Sequence, residues 1–176
     1  TTSLNSCILW GNSDSGGADQ SAQVHGLDPF VDYTCLQGWT TSFGGVGNHG
    51  LDPLFVDHNG PDNTVGTQDD NISLRSASPC INAGDPTTSF VSAELDLANH
   101  PRVLCNRVDM GAYEFGIGDS DCNRVLELED FATWGGCMTG PDEGPHGATC
   151  APFDFDGDSD IDLVDFAAFE STLTNP

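Results

Sequence analysis

Asp154-Phe155-Asp156-Gly157-Asp158-Ser159-Asp160-Ile161-Asp162-Leu163-Val164-Asp165 sets a carboxylate at nearly every second position and then runs into an apolar stretch, Phe166-Ala167-Ala168-Phe169. With Asp154 as position 1, Asp156 and Asp158 fall at 3 and 5. Asp160 offers its backbone carbonyl at 7, and Asp162 and Asp165 stand at 9 and 12. A loop of about twelve residues with that spacing wraps roughly six to eight oxygens around a hard dication.

The stretch has a second copy. Val125-Leu126-Glu127-Leu128-Glu129-Asp130-Phe131-Ala132-Thr133-Trp134 matches Asp160 to Phe169 at an offset of 35 residues. Asp119, Asp121 and Asn123 then take positions 1, 3 and 5, Val125 supplies the position 7 carbonyl, Glu127 sits at 9 and Asp130 at 12. A single acidic run is ordinarily a solvated face. Two copies with five correctly spaced oxygen side chains each point instead to two calcium loops. At position 8, Leu126 and Ile161 are expected to join the loops through a short β-bridge. At position 6, Arg124 and Ser159 replace the usual glycine, at a cost of about 1 kcal/mol each for a left-handed backbone.

Each loop leads into a helix with aromatic residues at i and i+3, Phe131 with Trp134 and Phe166 with Phe169, whose faces would form a small shared core. Cys137 and Cys150 bracket a turn-rich segment that a disulfide would staple, and a module with little core gains most from such a link. Aspartate at position 12 and the Asp-Phe-Ala run after it resemble the dockerin family over about a third of the chain. The resemblance implies calcium in both loops and attachment of a secreted protein to a cohesin-type partner.

Upstream, His25-Gly26-Leu27-Asp28-Pro29-Phe30-Val31-Asp32 pairs with His49-Gly50-Leu51-Asp52-Pro53-Leu54-Phe55-Val56-Asp57 at an offset of 24 residues, the length of one solenoid coil. Short apolar runs such as Cys7-Ile8-Leu9-Trp10 and Ile72-Ser73-Leu74 are bounded by Gly, Asn, Asp or Pro, which suits an all-β region. A sandwich and a parallel β-helix both fit, and the coil-length repeat favours the β-helix. Asn5 to Asn12, Asp52 to Asp57, Ser78 to Asp85 and Val108 to Phe115 together resemble the end of right-handed parallel β-helix proteins, which are common among secreted proteins of planctomycete-type bacteria. The expected fold is therefore mainly β: a short right-handed parallel β-helix over residues 1–115, a joint at 116–118, and a small α-helical dockerin or EF-hand-like calcium domain over 119–176. About three or four coils fit, leaving an uncapped end that would stack on something.

The loop between 57 and 71 gathers Asp57, Asp62, Asp69 and Asp70, either as a third calcium site or as an ordinary loop of Asx-turns. Cys7, Cys35, Cys80 and Cys105 can pair or stack as small apolar residues, and Cys122 inside the first loop has no evident partner.

The 28 acidic residues stand against four basic ones, all arginine, for a formal charge of −24. Nucleic acid is excluded as a partner, since neutralising phosphates needs basic side chains. So much like charge needs cations or high salt for relief. Seven cysteines indicate an oxidising, extracellular setting, and no apolar run is long enough for membrane insertion. Thr1 reads as a processed or truncated start. The five histidines show no HExxH spacing, and no nucleophile elbow or phosphate loop is present.

The sequence thus leads to a non-catalytic, calcium-stabilised extracellular structural or adhesion subunit. It would assemble head to tail with other copies through solenoid and module, or bind a cohesin-like surface protein. The alternatives are a fragment of a polysaccharide-processing protein anchored to a cohesin scaffold, and a salt-adapted protein whose loops bind little calcium.

Overall fold

The computed structural model describes residues 3–25, 29–89, 91, 93–105 and 107–174. Thr1 and the Gly26-Leu27-Asp28 part of the first repeat copy lie outside the described residues. The chain divides into two compact units, Thr1–Thr87 with Val108–Ala112, and Thr88–Arg107 with Tyr113–Pro176.

In the first unit, β1 (Ser3–Asn5) pairs in parallel with β3 (Phe30–Asp32), and β2 (Ile8–Leu9) with β4 (Cys35–Leu36). A short helix, α1 (Gln20–Gln23), lies between, started by the Asp19 carboxylate accepting the Ser21 N–H. Ser6, between β1 and β2, and Tyr33, between β3 and β4, both take a left-handed backbone with φ of 53° and 46°. These corners end each strand after two or three residues. Val31, Cys35, Leu36, Leu74, Cys80, Ile81, Val108 and Met110 are buried in this unit.

The expected β-helix is not what forms. A solenoid requires the Phe-Val-Asp strand of the second repeat copy to stack in parallel on that of the first. Instead β5 (Phe55–Asp57) pairs antiparallel with β6 (Asn71–Leu74), because the 58–70 loop reverses the chain and returns it alongside β5. Among the described residues every sheet has two strands, and only a single bridge, from Cys35 to His49, continues the β2–β4 pair. The fold is not mainly β either, since more of the described residues lie in helical turns than in strands. The stretches around Asn5, Ser78 and Val108 do converge. Gly84 N–H donates to the Val108 carbonyl, Met110 N–H to that of Cys80 and Gly111 N–H to that of Ser6, while Asp109 accepts from Asn82 N–H at 2.6 Å.

The second unit holds α2 (Phe131–Cys137), preceded by a 3-10 turn (Leu128–Asp130), then a second 3-10 segment (Ala148–Phe153) and α3 (Leu163–Thr174). The Asp162 carboxylate accepts the Val164 N–H and so starts α3. Trp134, Cys137, Phe153, Ile161 and Phe169 make the core. Trp134 meets Phe153 edge to face at 4.9 Å between ring centroids and Phe169 at 5.5 Å, and each such buried ring contributes about 1.5–3 kcal/mol. Cys137 and Cys150 form the expected disulfide, and Cys105 with Cys122 forms a second. Residues 116–118 belong to this unit. Gly118 is buried with φ of 84°, and a side chain there would run into Leu126 and Phe155.

Candidate metal centre

The two loops share one construction. In the first, Asp119 and Asp130 are 3% and 0% exposed; in the second, Asp154 and Asp165 are 0% and 1% exposed. The aspartates at positions 1 and 12 are thus buried in both copies. The loop backbone holds them there. Arg124 N–H donates to Asp119 Oδ2 at 2.7 Å, and Ser120 N–H and Glu127 N–H donate to the two oxygens of Asp130. In the second loop, Gly157 and Ser159 N–H groups donate to Asp154, and Phe155 and Asp162 N–H groups to the two oxygens of Asp165. Arg124 and Ser159 take the left-handed backbone expected at position 6, with φ of 71° and 76°. That conformation aims their amides at the position 1 carboxylate.

Side-chain oxygens converge in three groups: Asp119 with Asp121 and Asp130, Asp154 with Asp156 and Asp165, and Asp160 with Asp162 and Asp165. Within each group, one ligand atom per residue lies within 4.8 Å of the others. An all-oxygen donor set is the chemistry of a hard cation. Asp160, placed at position 7 for its carbonyl, also buries its side chain. One oxygen accepts the Asp142 N–H, and Oδ1 is buried without a hydrogen-bond partner.

Of the expected carboxylate ligands, Glu127 and Asp158 stay outside these groups. Asn123 accepts the Val125 N–H and donates to Asp121 and Glu127, which ties Glu127 to the loop rather than to a common centre. Asp158 is exposed and accepts the Asp160 N–H.

Burial raises the carboxyl of Asp119 above its ordinary value, with the Asp130 charge adding to it. It raises Asp156, helped by Asp158, and Asp165, helped by Asp156. These carboxylates sit where negative charge is disfavoured, and a bound cation removes that penalty.

One expectation fails. Among the described residues no β-bridge joins Leu126 to Ile161. The Ile161 backbone is taken instead by Thr139 and Gly140, because the stapled 138–149 segment lies across it. Of the alternatives for the 57–71 loop, the hydrogen bonds favour the Asx-turn one, and Asp57, Asp62, Asp69 and Asp70 are not among the carboxylate groups above. Asp62, Asp69 and Asp70 accept from loop N–H groups and from the Thr67 hydroxyl, which lowers the Asp69 carboxyl, so the segment is a self-bonded turn.

The sequence reading missed His146, whose Nε2 lies 2.9 Å from Asp154 Oδ2, and the Cys105–Cys122 link. A lone loop histidine carries no spacing signal, and Cys105 lies 17 residues from Cys122, outside the loop that holds it.

Comparison with protein-family models, curated proteins and solved structures finds no match to the chain. The functional reading therefore rests on the loops' own geometry. Among the described residues no helix is long and apolar enough to cross a membrane.

Proposed function

We propose that the second unit is a calcium-dependent docking module of the dockerin kind, carried by a non-catalytic extracellular structural or adhesion protein. The observation that carries this reading is the buried position 1 and position 12 aspartate pair, repeated at the 35-residue offset with a third carboxylate converging on each pair. Calcium suits it among hard cations because a twelve-residue loop of carboxylates and carbonyls supplies the six to eight oxygens it takes, whereas magnesium demands a tight octahedron and keeps its waters. Two disulfides and the absence of lysine among 28 acidic residues fit an oxidising, cation-rich setting outside the cell.

Docking is supported by symmetry on the surface. Leu128 and Leu163 occupy equivalent positions of the two copies and are 73% and 71% exposed, with Phe131 and Val164 also exposed beside them. Apolar side chains repeated at a loop-to-helix junction suit a protein partner, either a cohesin-type surface or another copy of this chain. Filament growth through a stacked solenoid end is no longer part of the reading, since no solenoid forms.

Calorimetric titration of calcium into chelator-treated full chain, followed by light scattering, tests it. The expected result is two ions per chain and a gain in unfolding free energy of about 2.7 kcal/mol per site at a hundredfold excess over Kd. Absence of binding heat, with the same stabilisation produced by monovalent salt, would leave the loops as charge-relieved acidic surface. Calcium-dependent growth in mass would make the partner another copy, and a calcium-loaded monomer would make it a separate protein.

A further inference from the structure

Among the described residues, two buried side-chain nitrogen or oxygen atoms have no hydrogen-bond partner. One is Asp160 Oδ1 in the second loop, and the other is His49 Nε2 in the first unit. Buried polar atoms left unpaired are rare and costly. His49 Nε2 belongs to a group with the sulfurs of Cys35 and Cys80, all within 4.8 Å of one another.

Three separate backbone segments hold this group in place. Cys35 and His49 are partners in a parallel bridge, with Leu36 N–H donating to the His49 carbonyl at 2.9 Å and His49 N–H to that of Thr34 at 3.2 Å. Bridge partners put their side chains on the same face. Cys80 comes from a third segment. Its carbonyl accepts Met110 N–H, and its own N–H donates to Ser78 Oγ, whose hydroxyl donates to the Pro53 carbonyl. Both cysteines are fully buried and both are free thiols, whereas the four cysteines of the second unit are paired.

We propose that Cys35, His49 and Cys80 form a binding site for a thiophilic d10 cation, zinc or copper(I), separate from the carboxylate loops. Bonds of roughly 2.3 Å to sulfur and 2.0 Å to nitrogen bring tetrahedral ligands about 3.6–3.8 Å apart, inside the spacing already present. Two thiolates and one imidazole complete a trigonal set for copper(I) and fill three of four positions for zinc. A Cys35–Cys80 disulfide, the rival state, leaves His49 Nε2 unpaired; the cation gives it a partner.

The Cys35 thiol donates to the Leu51 carbonyl at 3.2 Å, a bond that coordination gives up. Both sulfurs bind as thiolates, so the cation releases the thiol protons to water. Coordination through Nε2 places the imidazole proton on Nδ1. The long Leu51 N–H contact to Nδ1, at 3.4 Å, is then given up, and the exposed Leu51 leaves that amide to water.

The test uses full chain prepared without reductant, stripped of metal, and held in saturating calcium so that the carboxylate loops are occupied. Cobalt(II) is the probe for the zinc arm, read by sulfur-to-cobalt charge-transfer absorption and displaced by zinc. An anaerobic arm titrates copper(I) against a chromophoric chelator. One ion per chain is expected, with loss of the signal in Cys80→Ser and Cys35→Ser. His49→Gln should bind at least about tenfold more weakly, and Cys7→Ser, a free cysteine outside the group, should bind as the parent does. Intact-mass and peptide mapping of the unmodified chain needs no variant to fold. A Cys35–Cys80 disulfide there, or two free thiols with neither a charge-transfer band nor copper(I) uptake, overturns the site and leaves the calcium reading untouched.

Discussion

His146 Nε2 lies 2.9 Å from Asp154 Oδ2, with both side chains fully buried, so a histidine between the two disulfide-linked cysteines braces the first ligand of the second loop. Ser159 N–H donates to the same oxygen and Gly157 N–H to the other. His146→Gln should lower stability in chelator by about 1–3 kcal/mol, the cost of leaving a buried carboxylate short of a donor. Urea unfolding of both proteins measures it, and equal midpoints would mean that the loop backbone alone fixes Asp154.

The pH dependence should change sign with calcium. Burial, then neighbouring carboxylates, raises Asp119, Asp156 and Asp165 above 3.8. For His146, burial pulls the pKa down, but the Asp154 hydrogen bond and charge outweigh it and leave the net value above 6.5. Groups with raised folded values contribute stability that is fully present below the unfolded value and is lost as pH rises through the folded one. In chelator, the unfolding temperature of this unit should therefore rise as pH is lowered from neutral into the mildly acidic range. In saturating calcium it should fall over the same range, because protons compete with the ion for the same oxygens. Trp134 fluorescence in a Trp10→Phe, Trp39→Phe background follows the unit; identical slopes in both conditions would refute the cation reading of the loops.

Position 12 should be separable between loops. Asp130→Asn and Asp165→Asn each keep one carbonyl oxygen for the backbone donors now bound to that side chain, but remove the charge and the bidentate reach. Calorimetry should show each variant binding one ion instead of two, and the double variant none.

The Cys137–Cys150 bond closes a sequence separation of 13 residues, so Cys137→Ala with Cys150→Ala should cost about 3 kcal/mol. The loss should be largest without calcium, since the segment it closes carries His146 and Asp142 against the second loop. A loss independent of calcium would show that the staple and the loop are not coupled.

Arg124→Gly and Ser159→Gly test the left-handed corners. Both residues hold φ near 70°, where glycine pays no steric penalty, and each substitution should add up to about 1 kcal/mol to stability. Thermal unfolding at fixed calcium measures the gain, and a loss would mean that the two side chains carry contacts worth more than the strain.

The loops were legible because their chemistry is local. Alternating Asp and Asn side chains, a closing Asp, and aromatic residues at i and i+3 specify backbone turns and a helix start within one short stretch, and the 35-residue copy repeats them. The Cys137–Cys150 staple was legible for the same reason: two cysteines bracket one turn-rich segment. The solenoid reading failed because a repeat of 24 residues reports similar local conformations, not which strand each copy pairs with. Phe30–Asp32 and Phe55–Asp57 are both strands, yet one pairs in parallel with β1 and the other antiparallel with β6.

By itself, then, the sequence determined the charge, the turns, the two acidic loops and one disulfide, all set by residues near one another along the chain. Tertiary structure decided what depends on distant segments meeting. It set the partner of each strand, the Cys105–Cys122 link, the His146 brace on Asp154, and the approach of Cys80 to Cys35 and His49. No spacing rule encodes those contacts, because each is fixed by the packing of chain segments whose separation in sequence says nothing of their distance in space.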